Sequence, residues 1–117
     1  MKTVLVAEDN DSNYILMTYI LRGHYQTVRA RDGQEALDVV EKGGIDLVLM
    51  DMKMPVMDGM EATRRLKETH PQLPIIALTA NVFDSDRDAA LAAGCDDFLA
   101  KPVDSKLCLA TIASHLS

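Results

Sequence analysis

Three short runs of unbroken apolar residues limit what this chain can become: TVLVA at 3–7, LVLM at 47–50 and IIAL at 75–78. A strand with one face in water alternates apolar with polar residues. A run without alternation is covered on both faces, as in a parallel sheet flanked by helices. Two weaker segments accompany them. QTVRA at 26–30 alternates and reads as an edge strand, and DFLA at 97–100 reads as a second weak strand. The stretches between carry helix starts. Asp32 stands three residues before Glu35, Asp58 three before Glu61 and Ser85 three before Asp88. At that spacing a capping side chain and an acid can satisfy the free N–H groups of a helix entry. Gly94 stands where the fourth helix would end in a left-handed turn. Leu109, Ile112, Ala113 and Leu116 form one apolar stripe on the last helix. Five repeats of strand then helix predict a doubly wound α/β sandwich.

Size and charge exclude several functions. A chain of 117 residues, 48% hydrophobic and 26% charged, is expected to be a single domain over 1–117 with a real core. No apolar run reaches the roughly 18–20 residues of a membrane span. The start MKTVLVAEDN lacks a signal peptide's long apolar segment and cleavage site. A cytoplasmic protein without membrane insertion is therefore expected. The net charge of −6, with no basic run, argues against direct nucleic-acid binding, which needs Lys and Arg to neutralise phosphates. Cys95 and Cys108 have no metal or redox spacing and read as reduced, small hydrophobes.

The acids have a topological meaning. Ligands of open α/β sheets bind beyond the carboxyl ends of the strands. Glu8 and Asp9 follow the first strand, Asp51 the third, Thr79 the fourth and Lys101 the fifth. No cap or turn rule requires that set at one edge of a sheet. Three neighbouring carboxylates repel, so either their pKa values rise or a cation joins them. Oxygen-only ligands select a hard ion, Mg²⁺ or Mn²⁺. With Lys101, such an ion would offset the three negative charges. A site of this kind can accept a dianionic phosphoryl group in line with an Asp oxygen, with the Thr79 hydroxyl as donor to it. The methionines have a plainer part: Met50 belongs to the core, and Met54, Met57 and Met60 pack under or around the loop.

The segments VAEDN, LVLMDMKMPVMDG, IIALTA and GCDDFLAKP resemble the receiver domain of two-component response regulators, in order and spacing over essentially the whole chain. The resemblance implies a flavodoxin-like (βα)5 three-layer sandwich with a parallel five-stranded sheet in the order 2-1-3-4-5, the order of the chemotaxis response regulator. It implies that Asp51 is phosphorylated by a histidine kinase or histidine-phosphotransfer domain. It implies that Glu8, Asp9, Asp51 and the backbone carbonyl of Lys53 ligate Mg²⁺. Thr79 and Lys101 would hold phosphoryl oxygens, and Phe98 would move inward when Thr79 shifts. Lys53 and Asn81 would border the path of hydrolytic water, and the Lys101–Pro102 peptide would be cis. Such a module catalyses only its own phosphorylation and dephosphorylation. It would dimerise, if at all, through the face of the fourth and fifth helices.

Two positions depart from the family pattern. Glu8 replaces a common Asp, and its longer arm suits contact with the metal through a water. Phe98 replaces a common Tyr, which leaves packing alone to report the switch. The first helix, AEDNDSNYILMTYIL, is similar to receivers fused behind histidine kinases, and Tyr14, Met17 and Thr18 are expected to form an apolar patch for a helical phosphotransfer bundle. The segment after Lys101 reads as a fifth helix with no output domain. Rival classes fit less well. A haloacid-dehalogenase-like phosphotransferase would want Asp at position 53, which is Lys. A flavodoxin would want a phosphate loop where EDNDSN stands. A non-phosphorylated interaction module with the receiver fold would be expected to lack Asp51 or Lys101.

Overall fold

The computed structural model describes residues 1–80 and 85–116; Asn81, and the side chain of Ser85 with its expected cap, lie outside the described residues. The elements run β1 (Thr3–Ala7), α1 (Asp11–Leu21), β2 (Gln26–Ala30), α2 (Gly33–Lys42), β3 (Leu47–Asp51), α3 (Gly59–Thr69), β4 (Ile75–Thr79), α4 (Ser85–Ala93), β5 (Asp97–Ala100) and α5 (Ser105–Leu116). The strands form one parallel sheet in the order β2-β1-β3-β4-β5. The alternating segment, β2, is one edge, as expected, and the other weak strand, β5, is the second. The strands β3 and β4 each run one residue further than their apolar runs. Asp51 pairs with Leu78 and Thr79 with Ala100, so both polar residues occupy the last rung of the ladder rather than a loop beyond it.

Strand alternation divides the core into two layers. Val4, Val6, Leu47, Leu49, Ile76 and Leu78 face α1 and α5, packing with Met17, Ile20, Leu21, Cys108 and Ile112. Leu5, Ala7, Val48, Met50, Ile75 and Ala77 face the other way, toward α2, α3 and α4. Met50 is fully buried, and Met54, Met57 and Met60 pack partly buried against this second layer. Cys95 and Cys108 lie in opposite layers, and burial pushes both thiols up to about 11. They act as hydrophobes.

The helix starts follow their caps. Asp32 accepts the Glu35 N–H and Asp58 the Glu61 N–H, each at 2.9 Å. Neither box closes on its cap residue: Glu35 turns back to the Arg31 N–H, and Glu61 pairs with Arg64 and Arg65. Asn10 caps α1 through the Asn13 N–H, and Asp104 accepts the Leu107 N–H before α5. Gly94 ends α4 at φ 111°. Gly59 opens α3 directly against the Asp51 carbonyl, where a Cβ would overlap backbone. That is why an Asp-Gly pair follows the third strand.

Two helix faces differ from expectation. On α5 the buried residues are Cys108 and Ile112, while Ala113 is exposed. The small Ala113 side chain has little area to bury, and the sheet takes the i, i+4 pair beside it. On α1, Met17 is buried and Tyr14 is covered by Arg29, so Tyr14, Met17 and Thr18 form no exposed patch. The exposed apolar residues are Ile15, Leu16 and Tyr19, one step round the helix.

Candidate functional site

The carboxyl edge of the sheet opens into a cleft of about 270 Å³ lined by Glu8, Asp9, Asn10, Asn13, Asp51, Lys53, Thr79 and Lys101, among others. Each polar group arrives by a strand end. Glu8 leaves β1 with its N–H still on the ladder, bonded to the Ala30 carbonyl at 2.9 Å, and Lys101 leaves β5 with its N–H on the Thr79 carbonyl at 2.8 Å. Asp51 and Thr79 belong to the two central strands between. Of the expected site residues, Glu8, Asp9, Asp51, Lys53, Thr79 and Lys101 meet in this cleft. Phe98 does not line it; the ring is half-buried against the α2–α4 layer, with the Arg87 guanidinium 5.9 Å from its centroid.

Charge is concentrated here without being balanced. Glu8 is 1% exposed and Asp51 5%, whereas Asp9 lies at the open side. The Lys101 ammonium sits 3.1 Å from Glu8 Oε1 and 3.1 Å from Asp51 Oδ2. One cation thus serves two buried anions. Burial, then the neighbouring Asp51, push the Glu8 carboxyl above the usual range, and Lys101 only partly opposes them. Burial would lower the Lys101 pKa, but its close contact with Glu8 and the charges of Asp51 and Glu8 outweigh that and raise it. Lys101 approaches Glu8 Oε1 off the hydrogen-bonding direction, and among the described residues neither that buried oxygen nor the buried Thr79 hydroxyl has a hydrogen-bond partner. Buried polar atoms are seldom left so, and exceptions point to a functional demand.

The donor set fits a divalent cation. One carboxylate oxygen from each of Glu8, Asp9 and Asp51 lies within 4.8 Å of the others. All are hard oxygen donors, the chemistry of Mg²⁺ or Mn²⁺. Glu8 is the most buried of the three, so its longer side chain is drawn inward beside Lys101. Asp51 Oδ1 accepts the Lys53 N–H at 3.2 Å, which fixes the first turn of the loop beyond β3. Asn10 and Asn13 also line the cleft. Asn10 is the N-cap of α1 and Asn13 lies in its first turn.

A family model described as the response regulator receiver domain matches residues 4–113. The chain belongs to the receiver-domain family. It is 35% identical over 118 residues to the polar-differentiation response regulator DivK of Brucella ovis, with 98% of this chain and 96% of that protein covered. The receiver domain of the sensor histidine kinase PA1611 from Pseudomonas aeruginosa, with a magnesium ion coordinated in its active site cleft, matches at a TM-score of 0.92. It is 35% identical, with 98% of this chain and 97% of that one covered. A chain from the co-crystal structure of the Saccharomyces cerevisiae histidine phosphotransfer protein Ypd1 with the receiver domain of Ssk1 matches at 0.81 and 32% identity, over 98% of this chain and 86% of that one. The receiver assignment makes this a phosphoacceptor module of two-component signalling, and its acidic cluster lies where receivers hold Mg²⁺. Among the described residues, no helix is long and apolar enough to cross a membrane.

Proposed function

We propose that Asp51 is the phosphoacceptor and that the donor is a phosphohistidine on a histidine kinase or histidine-phosphotransfer domain. The P–N bond to the imidazole breaks as an Asp51 oxygen bonds to phosphorus, giving an acyl phosphate and a free imidazole. What supports Asp51 is its place at the last rung of β3, buried beside a cation that it must share. The incoming phosphoryl oxygens would share Lys101 and take the Thr79 hydroxyl, which has no hydrogen-bond partner among the described residues. Glu8, Asp9, Asp51 and the Lys53 carbonyl would hold a Mg²⁺ ion, or Mn²⁺, whose charge offsets that of the transferring group. The module turns over no substrate beyond its own phosphate.

Switching would run from Thr79 to Phe98: bonding of the Thr79 hydroxyl to phosphate draws the end of β4 toward the cleft and makes room for the ring. The partner would be helical. The cleft opens beside the start of α1, through Asn10 and Asn13, and α1 continues from there into exposed Ile15, Leu16 and Tyr19. A helical bundle laid along that face brings its histidine to the cleft mouth. The Ypd1 co-crystal is a precedent for the class of partner. Self-association through α4 and α5 has less to rest on, since the described part of α4 exposes one large apolar side chain, Leu91. The exchange belongs to the cytoplasm, where ATP-fed kinases make phosphohistidine.

Acetyl phosphate with Mg²⁺, followed by intact mass, tests the assignment. One added phosphoryl is expected on the wild type and none on Asp51→Asn. An unlabelled wild type would favour an interaction module that keeps the receiver fold.

A further inference from the structure

The side chain of Arg29 makes an unusual set of contacts for a residue of an edge strand. Arg29 pairs in register with Val6, whose side chain faces α1, so the guanidinium also rises on that side of the sheet. It stacks over the Tyr14 ring at 4.4 Å from the centroid. Its Nε and Nη2 both donate to the Glu8 carbonyl, at 3.2 and 3.1 Å, and Nη2 also reaches the Asp9 carbonyl at 3.4 Å. Nη2 lies 2.9 Å from Asp11 Oδ1, and the side chain is only 16% exposed. The guanidinium beside Asp11 holds that carboxyl below the usual range.

We propose that Arg29 is a positioning residue for the metal site, holding the β1–α1 loop so that Glu8 and Asp9 meet Asp51 at ligand spacing. This rests on the metal reading given above. The physical need comes from repulsion. Three carboxylates with oxygens within 4.8 Å of one another push the loop outward, and Lys101 touches only two of them. β2 holds both peptides that flank the Glu8 Cα: the one before it through the Glu8 N–H on the Ala30 carbonyl, the one after it through the Glu8 C=O on Arg29. With those and the next peptide held at the Asp9 carbonyl, the directions of the Glu8 and Asp9 side chains follow. Tyr14 holds the guanidinium flat, and the planar fork brings two nitrogens to the Glu8 carbonyl where an ammonium would bring one. Asp11 balances the charge of Arg29, so the clamp works with little electrostatic opposition to a nearby divalent ion.

The sign of one measurement separates the alternatives. Arg29→Met keeps the apolar stem over Tyr14 and removes the clamp; Arg29→Lys keeps the charge but offers one nitrogen in place of the planar fork. Mg²⁺ affinity is read by following backbone amide NMR signals of Glu8, Asp9 and Asp51 through a titration, with the melting temperature taken without Mg²⁺. Loss of an outer group that orients ligands weakens metal binding by about tenfold or more. Arg29→Met should therefore raise the Mg²⁺ Kd by about tenfold, and Arg29→Lys should raise it by a smaller factor. The Mg²⁺ concentration for half-maximal labelling by acetyl phosphate should rise in parallel, while the rate at saturating Mg²⁺ recovers. Tighter Mg²⁺ binding by Arg29→Met would show that Arg29 acts only through its charge, and would overturn the clamp. So would a lowered melting temperature with unchanged Mg²⁺ affinity. If Arg29→Met does not fold, Arg29→Lys decides alone, since wild-type affinity in that variant contradicts the proposal. A wild type that binds no Mg²⁺ would overturn the metal reading together with the clamp; normal binding in both variants would overturn the clamp alone.

Discussion

The two edges of the sheet use the same residue types to opposite ends. At the amino edge Lys67 donates to Asp96 Oδ2 at 2.7 Å and to the Leu73 carbonyl at 2.8 Å, and the same Asp96 oxygen accepts the Ile75 N–H at 2.8 Å. Asp46 likewise accepts the Thr3 N–H at 2.8 Å. These acids are spent on strand starts. At the carboxyl edge one ammonium is divided between Glu8 and Asp51, and two buried oxygens, Glu8 Oε1 and Thr79 Oγ1, have no hydrogen bond among the described residues. Stability is completed within the protein at one edge and left for a ligand to complete at the other. Counting acids would not separate the two edges; counting their partners does.

Substitutions should break this contrast in opposite directions. The largest effect expected is on phosphorylation: Asp51→Asn removes all labelling while stability holds or rises, because repulsion with Glu8 is relieved. Mass spectrometry and thermal melting together check both halves. At the other edge Asp96→Ala should do the reverse. It leaves the Ile75 N–H without its acceptor and Lys67 with the Leu73 carbonyl but no counter-charge, and should cost about 1–3 kcal/mol, with Mg²⁺ affinity unchanged. Loss of Mg²⁺ binding in that variant would erase the distinction between the edges.

Metal should complete the carboxyl edge. A ligand bound only by the folded state stabilises it in proportion to the logarithm of its concentration, so millimolar Mg²⁺ should raise the wild-type melting temperature by a few degrees. Asp9→Ala should lose most of that gain. A melting temperature unmoved by Mg²⁺ would contradict the reading.

Glu8→Gln sharpens the comparison through pH. The folded-state pKa of Glu8 lies above its ordinary value of 4.5. As pH rises through that window the unfolded chain releases its proton first, and the folded state loses stability relative to it. Acidification restores that contribution, and it also weakens metal binding, which needs the carboxylate. Without Mg²⁺ at neutral pH, Glu8→Gln should therefore melt higher than wild type, with the difference shrinking toward acid pH. An equal or lower melting temperature at neutral pH would argue that Lys101 already satisfies Glu8.

The smallest effect is expected at Lys53, exposed on the loop beyond Asp51. Its ammonium, on a flexible stem, can lie over the phosphoryl group and crowd the attacking water. An exposed pair is worth about 1 kcal/mol or less, and roughly 1.36 kcal/mol is tenfold in rate. Lys53→Ala should shorten the phospho-form's lifetime a few-fold and leave Mg²⁺ affinity nearly unchanged. Single-turnover decay at saturating Mg²⁺ measures it, and an equal or longer lifetime would reject the shielding role.

The strand–helix alternation and the place of each acid at a strand end were legible in the sequence, because both are local. Unbroken apolar runs mark strands covered on two faces, and topology then brings their carboxyl ends together whatever lies between. That logic reached Glu8, Asp9, Asp51, Thr79 and Lys101, and the resemblance supplied the order 2-1-3-4-5 and the cis Lys101–Pro102 peptide, both of which are present. What depended on neighbours was not legible. The first helix, DSNYILMTYIL, is apolar nearly all round, so its own pattern cannot choose a face; the sheet chose Met17, Ile20 and Leu21, and Ile15, Leu16 and Tyr19 were left outside. On α5 the same competition preferred Cys108 over Ala113. Within QTVRA nothing distinguishes Arg29 from any cation of an edge strand; Tyr14 and the Glu8 and Asp9 carbonyls surround it only in the fold. Nor does any local rule reveal that Glu8 lies buried while Asp9 stays open, since adjacent residues share their sequence context and differ only in what packs against them.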